Sequence, residues 1–331
     1  MIGAKETDGP GPGKPTYISF NIPLGWPRPA KDIFANNRLS EEGFQLGRKL
    51  FYDGRLSKDG NFACASCHQQ FAGFANYDHD FSHGFNNSFT TRNAPPLFNL
   101  AWMNLLHWDG GVNHIEVQPL SPLTSPIEMA ENIDSVLIKI KKDTAYRRMF
   151  RAAFGDGIIN SQRMLKALAQ FTGCIVSSNS KYDKVQRGES SFTQTEQAGY
   201  KIFKEKCDGC HKEPLFTDNS FRNNGMPLNV LLNDYGRRKI TNDSNDSLKF
   251  KVPSLRNIVL TFPYMHDGRF YALGQVIDHY RSGIQTNQPN LDSLLRKPIV
   301  LNNYEKNNLI FFLYTLTDST LIRNPRFAEY R

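Results

Sequence analysis

Cysteine is scarce in this chain, five residues in 331, and no disulfide framework is implied. Long apolar runs are missing as well. The longest, Leu309-Ile310-Phe311-Phe312-Leu313-Tyr314-Thr315-Leu316, is far short of the roughly 20 residues that span a bilayer. Residues 1–30 are rich in Gly and Pro and hold no apolar core stretch of a signal peptide. Basic residues outnumber acidic ones, 40 Lys and Arg against 32 Asp and Glu. The only compact basic runs are Lys139-Ile140-Lys141-Lys142 and Arg237-Arg238-Lys239. No nucleic-acid motif surrounds either run, so both read as solvated surface and no nucleic acid is expected as a partner.

Four of the five cysteines fall into one repeated pattern, Cys64-Ala65-Ser66-Cys67-His68 and Cys207-Asp208-Gly209-Cys210-His211. Cys-x-x-Cys-His is the attachment site of a c-type haem: two thioethers fix the porphyrin, and the following His binds the iron from the proximal side. A zinc knuckle would draw four ligands from the two Cys pairs and leave both histidines idle. A thioredoxin-like dithiol needs no His there and sits in a βαβ pattern that is absent. Two covalently bound haem c groups are therefore expected. Cys174, in the apolar run Leu168 to Val176, reads as a buried small hydrophobe. Haem c is attached after export in bacteria, so a periplasmic protein is expected, with its signal upstream of Met1 and with room for a lipid anchor. Four ionised propionates would cancel about half of the formal charge of +8.

The chain is long enough for two haem domains. Residues 1–38 read as an extended arm laid on the surface. Ser40 to Phe51 reads as a helix with Ser40 as N-cap, acids in the first turn and an apolar face of Phe44, Leu46, Leu50 and Phe51, running into the first haem motif. The prolines of Gln118-Pro119-Leu120-Ser121-Pro122 and Ser125-Pro126-Ile127-Glu128-Met129 forbid a long helix, and this stretch is a candidate distal wall. Helices are predicted over 133–154 and 161–178, followed by a polar joint over 179–191. Phe192 to Phe203 repeats the plan of Ser40 to Phe51 and again runs into Cys-x-x-Cys-His, an internal duplication of a cytochrome c plan. Asn302 to Tyr314 is the expected closing helix, with Leu309, Phe312 and Leu313 inward. The predicted fold is mainly α, two cytochrome c-like haem domains with long loops: an arm 1–38, an N-terminal domain 39–185, a C-terminal domain 186–320 and a tail 321–331.

A haem with one protein ligand is an open catalytic site, and one with two is normally an electron carrier. The residues leave the sixth ligands open. Met265, His266, His279 and Tyr280 are the candidates for the second haem. For the first they are His79, His83, Met103, His107, His114 and Met129.

From about Leu39 to Thr317 the order of motifs resembles the bacterial di-haem cytochrome c peroxidases and their MauG-type relatives. The motifs are Leu50-Phe51-Tyr52-Asp53, Arg92-Asn93-Ala94-Pro95, Trp108-Asp109-Gly110, Gln118 to Met129, the two Cys-x-x-Cys-His runs, and Tyr264-Met265-His266-Asp267-Gly268. The resemblance implies that Trp108 mediates electron exchange between the haems and that Gln118, Pro122 and Glu128 line a peroxide pocket. A carboxylate there can take a proton from one peroxide oxygen and return it to the leaving one, and an apolar wall should raise its pKa to suit. The resemblance puts a Met in the peroxidases, or a Tyr in the MauG type, where this chain has Tyr280, as second ligand of the C-terminal haem iron opposite His211. His68 then holds the peroxidatic iron, and His83 does not fall where a resting-state sixth ligand would be expected, so that haem is expected to be open. A calcium ion held by Asn93, Thr261 and Pro263 is implied too, as are a small cytochrome c or cupredoxin electron donor and room for a homodimer. The expected function is reduction of hydrogen peroxide to water, with electrons relayed from the C-terminal to the N-terminal haem. The alternatives are a MauG-like oxidase acting on a protein or small-molecule donor, and a non-catalytic di-haem electron carrier with Met129 or His83 on the first iron.

Overall fold

Ser40 starts the first helix as its sequence requires: its hydroxyl accepts the Gly43 amide, and Glu41 and Glu42 face the positive helix end. The computed structural model describes residues 14–330. In it α1 (Glu41–Tyr52) leads to the short α2 (Cys64–Cys67), and the prolines of the distal stretch allow only the five-residue α3 (Leu120–Thr124). The helix expected over 133–154 is two, α4 (Ile133–Lys142) and α5 (Thr144–Phe154). Asp143 turns its carboxylate onto the amides of Ala145 and Tyr146 and so caps the second helix instead of continuing the first. α6 (Ser161–Gly173) stops short of Ser178 because Asn99 captures the backbone beyond it: its amide donates to the Ile175 carbonyl and its side chain bonds the amide and the carbonyl of Ser177.

The polar joint contains its own helix, α7 (Lys181–Gln186), boxed by Ser180 and Asp183. Then come α8 (Gln194–Lys206), capped by Thr193 and Glu196, and the antiparallel pair β1 (Phe221–Arg222) and β2 (Phe250–Lys251), with α9 (Arg238–Thr241) between them. α10 (Leu273–Asp278) and α11 (Asn303–Tyr314) complete the set.

Two apolar cores form, and each is built on a helix that enters a haem motif. Phe44, Leu50 and Phe51 of α1 pack with Leu168 and Phe171 of α6; Phe203 of α8 packs with Leu309, Phe312 and Leu313 of α11. Both pairs approach through a glycine. A Cβ on Gly47 would overlap the Ala167 carbonyl, and one on Gly199 would overlap the Asn308 carbonyl. The same crossing beside each Cys-x-x-Cys-His is the duplicated cytochrome c plan in three dimensions, and the fold is mainly α.

Long loops tie the two cores together. Of the arm, residues 1–13 lie outside the described residues; farther on, Trp26 packs edge-on to Trp102, 5.0 Å between centroids, and Trp102 Nε1 donates to the Pro27 carbonyl at 2.7 Å. The end of the chain crosses back to the first core, where Leu321 and Phe327 are buried and the Phe327 carbonyl accepts the Tyr52 hydroxyl at 2.7 Å. Arg256, fully buried, clamps α7 to the second core: it grips both oxygens of Asp183 at 2.8 and 2.9 Å and donates to the Pro214 carbonyl at 2.8 Å. Removing one partner of such a pair strands the other charge in a dry interior, which costs about 3–5 kcal/mol. Asp183→Asn is therefore expected to destabilise the holoprotein by about that amount in denaturant unfolding; a loss no larger than that of an exposed ion pair would show that the clamp is not needed.

Candidate active site

No disulfide joins the four motif cysteines, and burial raises the pKa a thiol would have at each position, to about 12 at Cys64 and Cys207. A working redox dithiol has the opposite property, a lowered thiol pKa. Among the described residues no three His, Cys, Asp or Glu side chains converge as a metal-binding group, so the two Cys pairs do not share a tetrahedral site. Each motif histidine is instead held through one ring nitrogen. His68 Nδ1 lies 3.0 Å from the Phe74 carbonyl; His211 Nδ1 lies 3.1 Å from the Phe216 carbonyl and 3.2 Å from that of Pro253. A carbonyl only accepts, so Nδ1 carries the proton and Nε2 keeps its lone pair for a metal. Burial keeps both rings neutral, pushing His68 down to about 4.

Beside His68 opens a cavity of about 380 Å³. It brings together Cys67, His68, Trp108, Gln118, Pro122 and Glu128, which come from three separate stretches of the chain. Ser82 Oγ, on the same wall, is buried without a hydrogen-bond partner. Two thiols one turn apart, a neutral imidazole with a free Nε2 and an apolar cavity with an unsatisfied wall are what a c-type haem requires, and the residues fit it.

The distal stretch is held by its backbone. The Glu128 amide donates to the Ser125 carbonyl at 3.1 Å, its carbonyl accepts the Phe85 amide at 2.7 Å, and the Met129 amide donates to the Pro122 carbonyl at 3.1 Å. Gly84 lets the neighbouring loop lie against this wall, since a Cβ there would overlap the Ile127 carbonyl. The Glu128 carboxyl is pushed up by burial, partly offset by the Ser125 hydroxyl. The side-chain amide of Gln118 has no hydrogen-bond partner among the described residues, so its donors are free to meet a ligand. Of the other ligand candidates for the first iron, His83 is exposed and its ring lies tilted against Phe89, His114 is exposed, and Met129 is buried in the first core. Met103 and His107 do line the cavity.

Trp108 is fixed at both ends: Nε1 donates to the Asn93 carbonyl at 2.8 Å, and its own carbonyl accepts the Lys251 amide at 2.7 Å. Next to it, Arg92 reaches Asp109 at 2.6 Å and holds both oxygens of Asp234 at 2.6 and 2.8 Å. Sequence reasoning assigned no role to Arg92 or Asp234. Arg92 opens a quoted motif, but nothing in the sequence links it to an aspartate 142 positions away. The Asn93 amide donates to the His266 carbonyl, which brings Asn93 against the run that follows Thr261 and Pro263. The Asn93 side-chain amide donates to the carbonyls of His79 and Asp80, each at 3.2 Å.

Around the second motif the four candidate ligands separate. α10 gives way at His279–Gly283 to a wider π turn. His279 Nε2 is engaged by the Asn224 carbonyl at 3.0 Å, Met265 Sδ accepts from Asn224 Nδ2 at 3.6 Å, and His266 stacks on Phe250 at 3.7 Å. Tyr280 is partly buried near Cys207, Cys210 and the Asn224 side chain, and burial pushes its hydroxyl up to about 12.

Comparison with known proteins agrees with this architecture. Residues 41–191 match the family model of di-haem cytochrome c peroxidase. The methylamine utilization protein MauG of Methylorubrum extorquens is 36% identical over 286 residues, 85% of this chain and 79% of that protein. The cytochrome c551 peroxidase of Nitrosomonas europaea is 33% identical over 295 residues, 87% and 84% of the two chains. Among solved structures, a MauG-like protein associated with microbial copper homeostasis superposes with a TM-score of 0.86 at 33% identity, over 94% of this chain and 99% of that one. With two haem cofactors and an oxidoreductase activity, this chain belongs to the di-haem cytochrome c peroxidase family.

Proposed function

We propose that the protein reduces hydrogen peroxide to water in the cavity beside His68, using electrons that enter at the second haem. The observation that carries this reading is the convergence of Glu128, Gln118, Pro122 and Trp108 on the cavity that also contains Cys67 and His68. Cys64, Cys67 and His68 Nε2 would hold one haem, and Cys207, Cys210, His211 Nε2 and the Tyr280 hydroxyl the other. When bound, the haems supply redox-active iron, for peroxide at the first site and for a donor at the second. Each turnover consumes one peroxide, two electrons and two protons and yields two waters.

Glu128 takes a proton from one peroxide oxygen and returns it to the other, so that the leaving oxygen departs as water. Its raised pKa supports that shuttle, because the carboxyl exchanges protons more readily near neutral pH than an ordinary surface glutamate. The free amide of Gln118 orients the peroxide, and Pro122 with Ile127 keeps bulk water from the carboxyl. Trp108 is the electron bridge. Its carbonyl is bonded to Lys251, and the carbonyl of Pro253, two residues on, accepts His211 Nδ1–H, so one short run of chain touches both Trp108 and the second motif histidine. Asn93, Thr261 and Pro263 would hold a calcium ion beside this bridge. The donor is a small cytochrome c or cupredoxin, and the attachment motifs point to the periplasm.

Tyr280 favours a second reading, in which the oxidising equivalents are spent on a protein or small-molecule donor that never enters the cavity, as in a MauG-like oxidase. A phenolate ligand stabilises oxidised iron and lowers the potential of a haem that would otherwise accept electrons readily. Met129 or His83 on the first iron would support an electron carrier, and neither lines the cavity.

Spectra of the ferric protein, followed by stoichiometric peroxide without reductant, test the proposal. A high-spin component that responds to peroxide is expected, and a wholly low-spin protein that ignores peroxide would overturn both enzymatic readings. A two-equivalent oxidised state that decays slowly with reduced cytochrome would favour the MauG type. Tyr280→Phe is expected to change the low-spin haem signal; an unchanged signal would return the ligand to Met265 or His279.

Glu128→Gln is expected to keep both haems and lose most peroxide turnover. In the wild type, turnover should fall on acidification through a pH above the ordinary glutamate value of about 4.3, and the variant should lack that limb. Stability moves the other way. The folded state binds the Glu128 proton more tightly than the unfolded chain does, so stability falls as pH rises from the ordinary to the raised pKa. Glu128→Gln should therefore hold or raise Tm at neutral pH while activity collapses, and unchanged turnover would remove Glu128 from the mechanism.

A further inference from the structure

β2 delivers a lysine to the cavity. Lys251 stands opposite Phe221 in the two-stranded pair, its amide donates to the Trp108 carbonyl, and its side chain lies on the cavity wall. The ammonium meets only neutral acceptors, the Leu105 carbonyl at 3.0 Å and Met103 Sδ at 3.7 Å. Asp109, the one acid that acts on it, is already engaged by Arg92 at 2.6 Å and by the Gly111 amide at 2.9 Å. Burying an ammonium without an anion is costly, and burial pushes Lys251 down to about 8. Lys239 of α9, exposed, also borders the cavity and forms no ion pair among the described residues. The remaining cation of this wall, Arg92, is committed to Asp109 and Asp234. The cavity thus carries two ammonium groups without carboxylates, both supplied by the C-terminal half of the chain.

A haem brings two propionate carboxylates into a site whose own acids are either spent or, like Glu128, kept protonatable. We propose that Lys251, with Lys239 at the rim, is the counter-charge for the propionates of the haem held by Cys64, Cys67 and His68, and so sets that haem's reduction potential. The inference rests on the reading that a haem fills this cavity. A cation near the iron favours the reduced, less positive state, so Lys251 raises the potential of the first haem relative to an uncharged residue. Lys251 acts through the propionates and is a positioning residue, not a catalytic one.

Spectroelectrochemical titration of the holoprotein tests this, with the haem count determined first. Lys251→Gln keeps a donor for the Leu105 carbonyl but removes the charge, whereas Lys251→Arg keeps the charge. The Gln variant is expected to shift the first haem's ferric–ferrous equilibrium about tenfold toward ferric, about 59 mV to the negative for a one-electron couple. The second haem should stay in place, and the Arg variant should stay near wild type. Lys239→Gln, at the exposed rim where folding is not at risk, should shift the same haem in the same direction by less. Equal shifts in Lys251→Gln and Lys251→Arg would assign Lys251 to packing and overturn the proposal, as would unshifted potentials in both Gln variants. A wild type carrying a single haem would overturn the reading of the cavity itself, a failure distinct from that of the lysines.

Discussion

Arg92 holds the candidate site together. Its guanidinium grips Asp109 on one side and both oxygens of Asp234 on the other, and it is one-fifth exposed. An exposed ion pair contributes at most about 1 kcal/mol, but a planar fork shared between two largely buried carboxylates also sets direction. Everything the proposed electron route needs is adjacent to this clamp. Asn93, the next residue, takes the Trp108 indole; Asp109 follows Trp108; and Lys251 binds the Trp108 carbonyl. If Arg92 let go, the loop bearing Trp108 and the loop bearing Asp234 would lose their common anchor.

Inside the cavity, low polarity acts on acids and bases in opposite directions on the pKa scale but with one effect. It pushes Glu128 up and Lys251 down, each toward its neutral form. For Glu128 this is useful, since a carboxyl that readily gains and loses a proton can serve peroxide. For Lys251 it signals an incomplete charge balance that an anionic cofactor would complete. The histidines belong to the same pattern: buried and neutral, each has its Nδ1 proton consumed by a backbone carbonyl, which leaves Nε2 as the only basic atom facing the site.

Much of this was legible in the sequence, and what was legible was local. Ser40, its following acids and the apolar face of α1 are read within a dozen residues, and so are the Cys-x-x-Cys-His runs and the closing helix. Local patterns failed where a distant or competing partner decided the outcome. Periodicity runs unbroken across 133–154, yet Asp143 prefers to cap; α6 ends where Asn99, some seventy residues earlier, claims its backbone. The Phe74 and Phe216 carbonyls that orient the histidines carry no side-chain signature, because any residue has a carbonyl. Nothing local in the sequence marks Lys251; its place on the cavity wall comes from β2. Tyr280 was singled out by resemblance alone, and its physical distinction from His279 appears only in the π turn that separates their directions.

The duplicated plan shows where one scaffold acquires two uses. Both halves bury a glycine-notched helix pair next to a Cys-x-x-Cys-His run, and both fix the motif histidine through Nδ1. Those features are alike because each does the same work, supporting a porphyrin from the proximal side. The difference lies in the loops that border each motif. The first half sets a short proline-bounded wall there, with an amide and a carboxyl and no ligand from the wall itself; the second sets a phenol on a widened turn. In the proposed function two loops leave the first iron open and close the second with an oxygen ligand, and the helices need not change for one site to meet peroxide and the other to handle electrons.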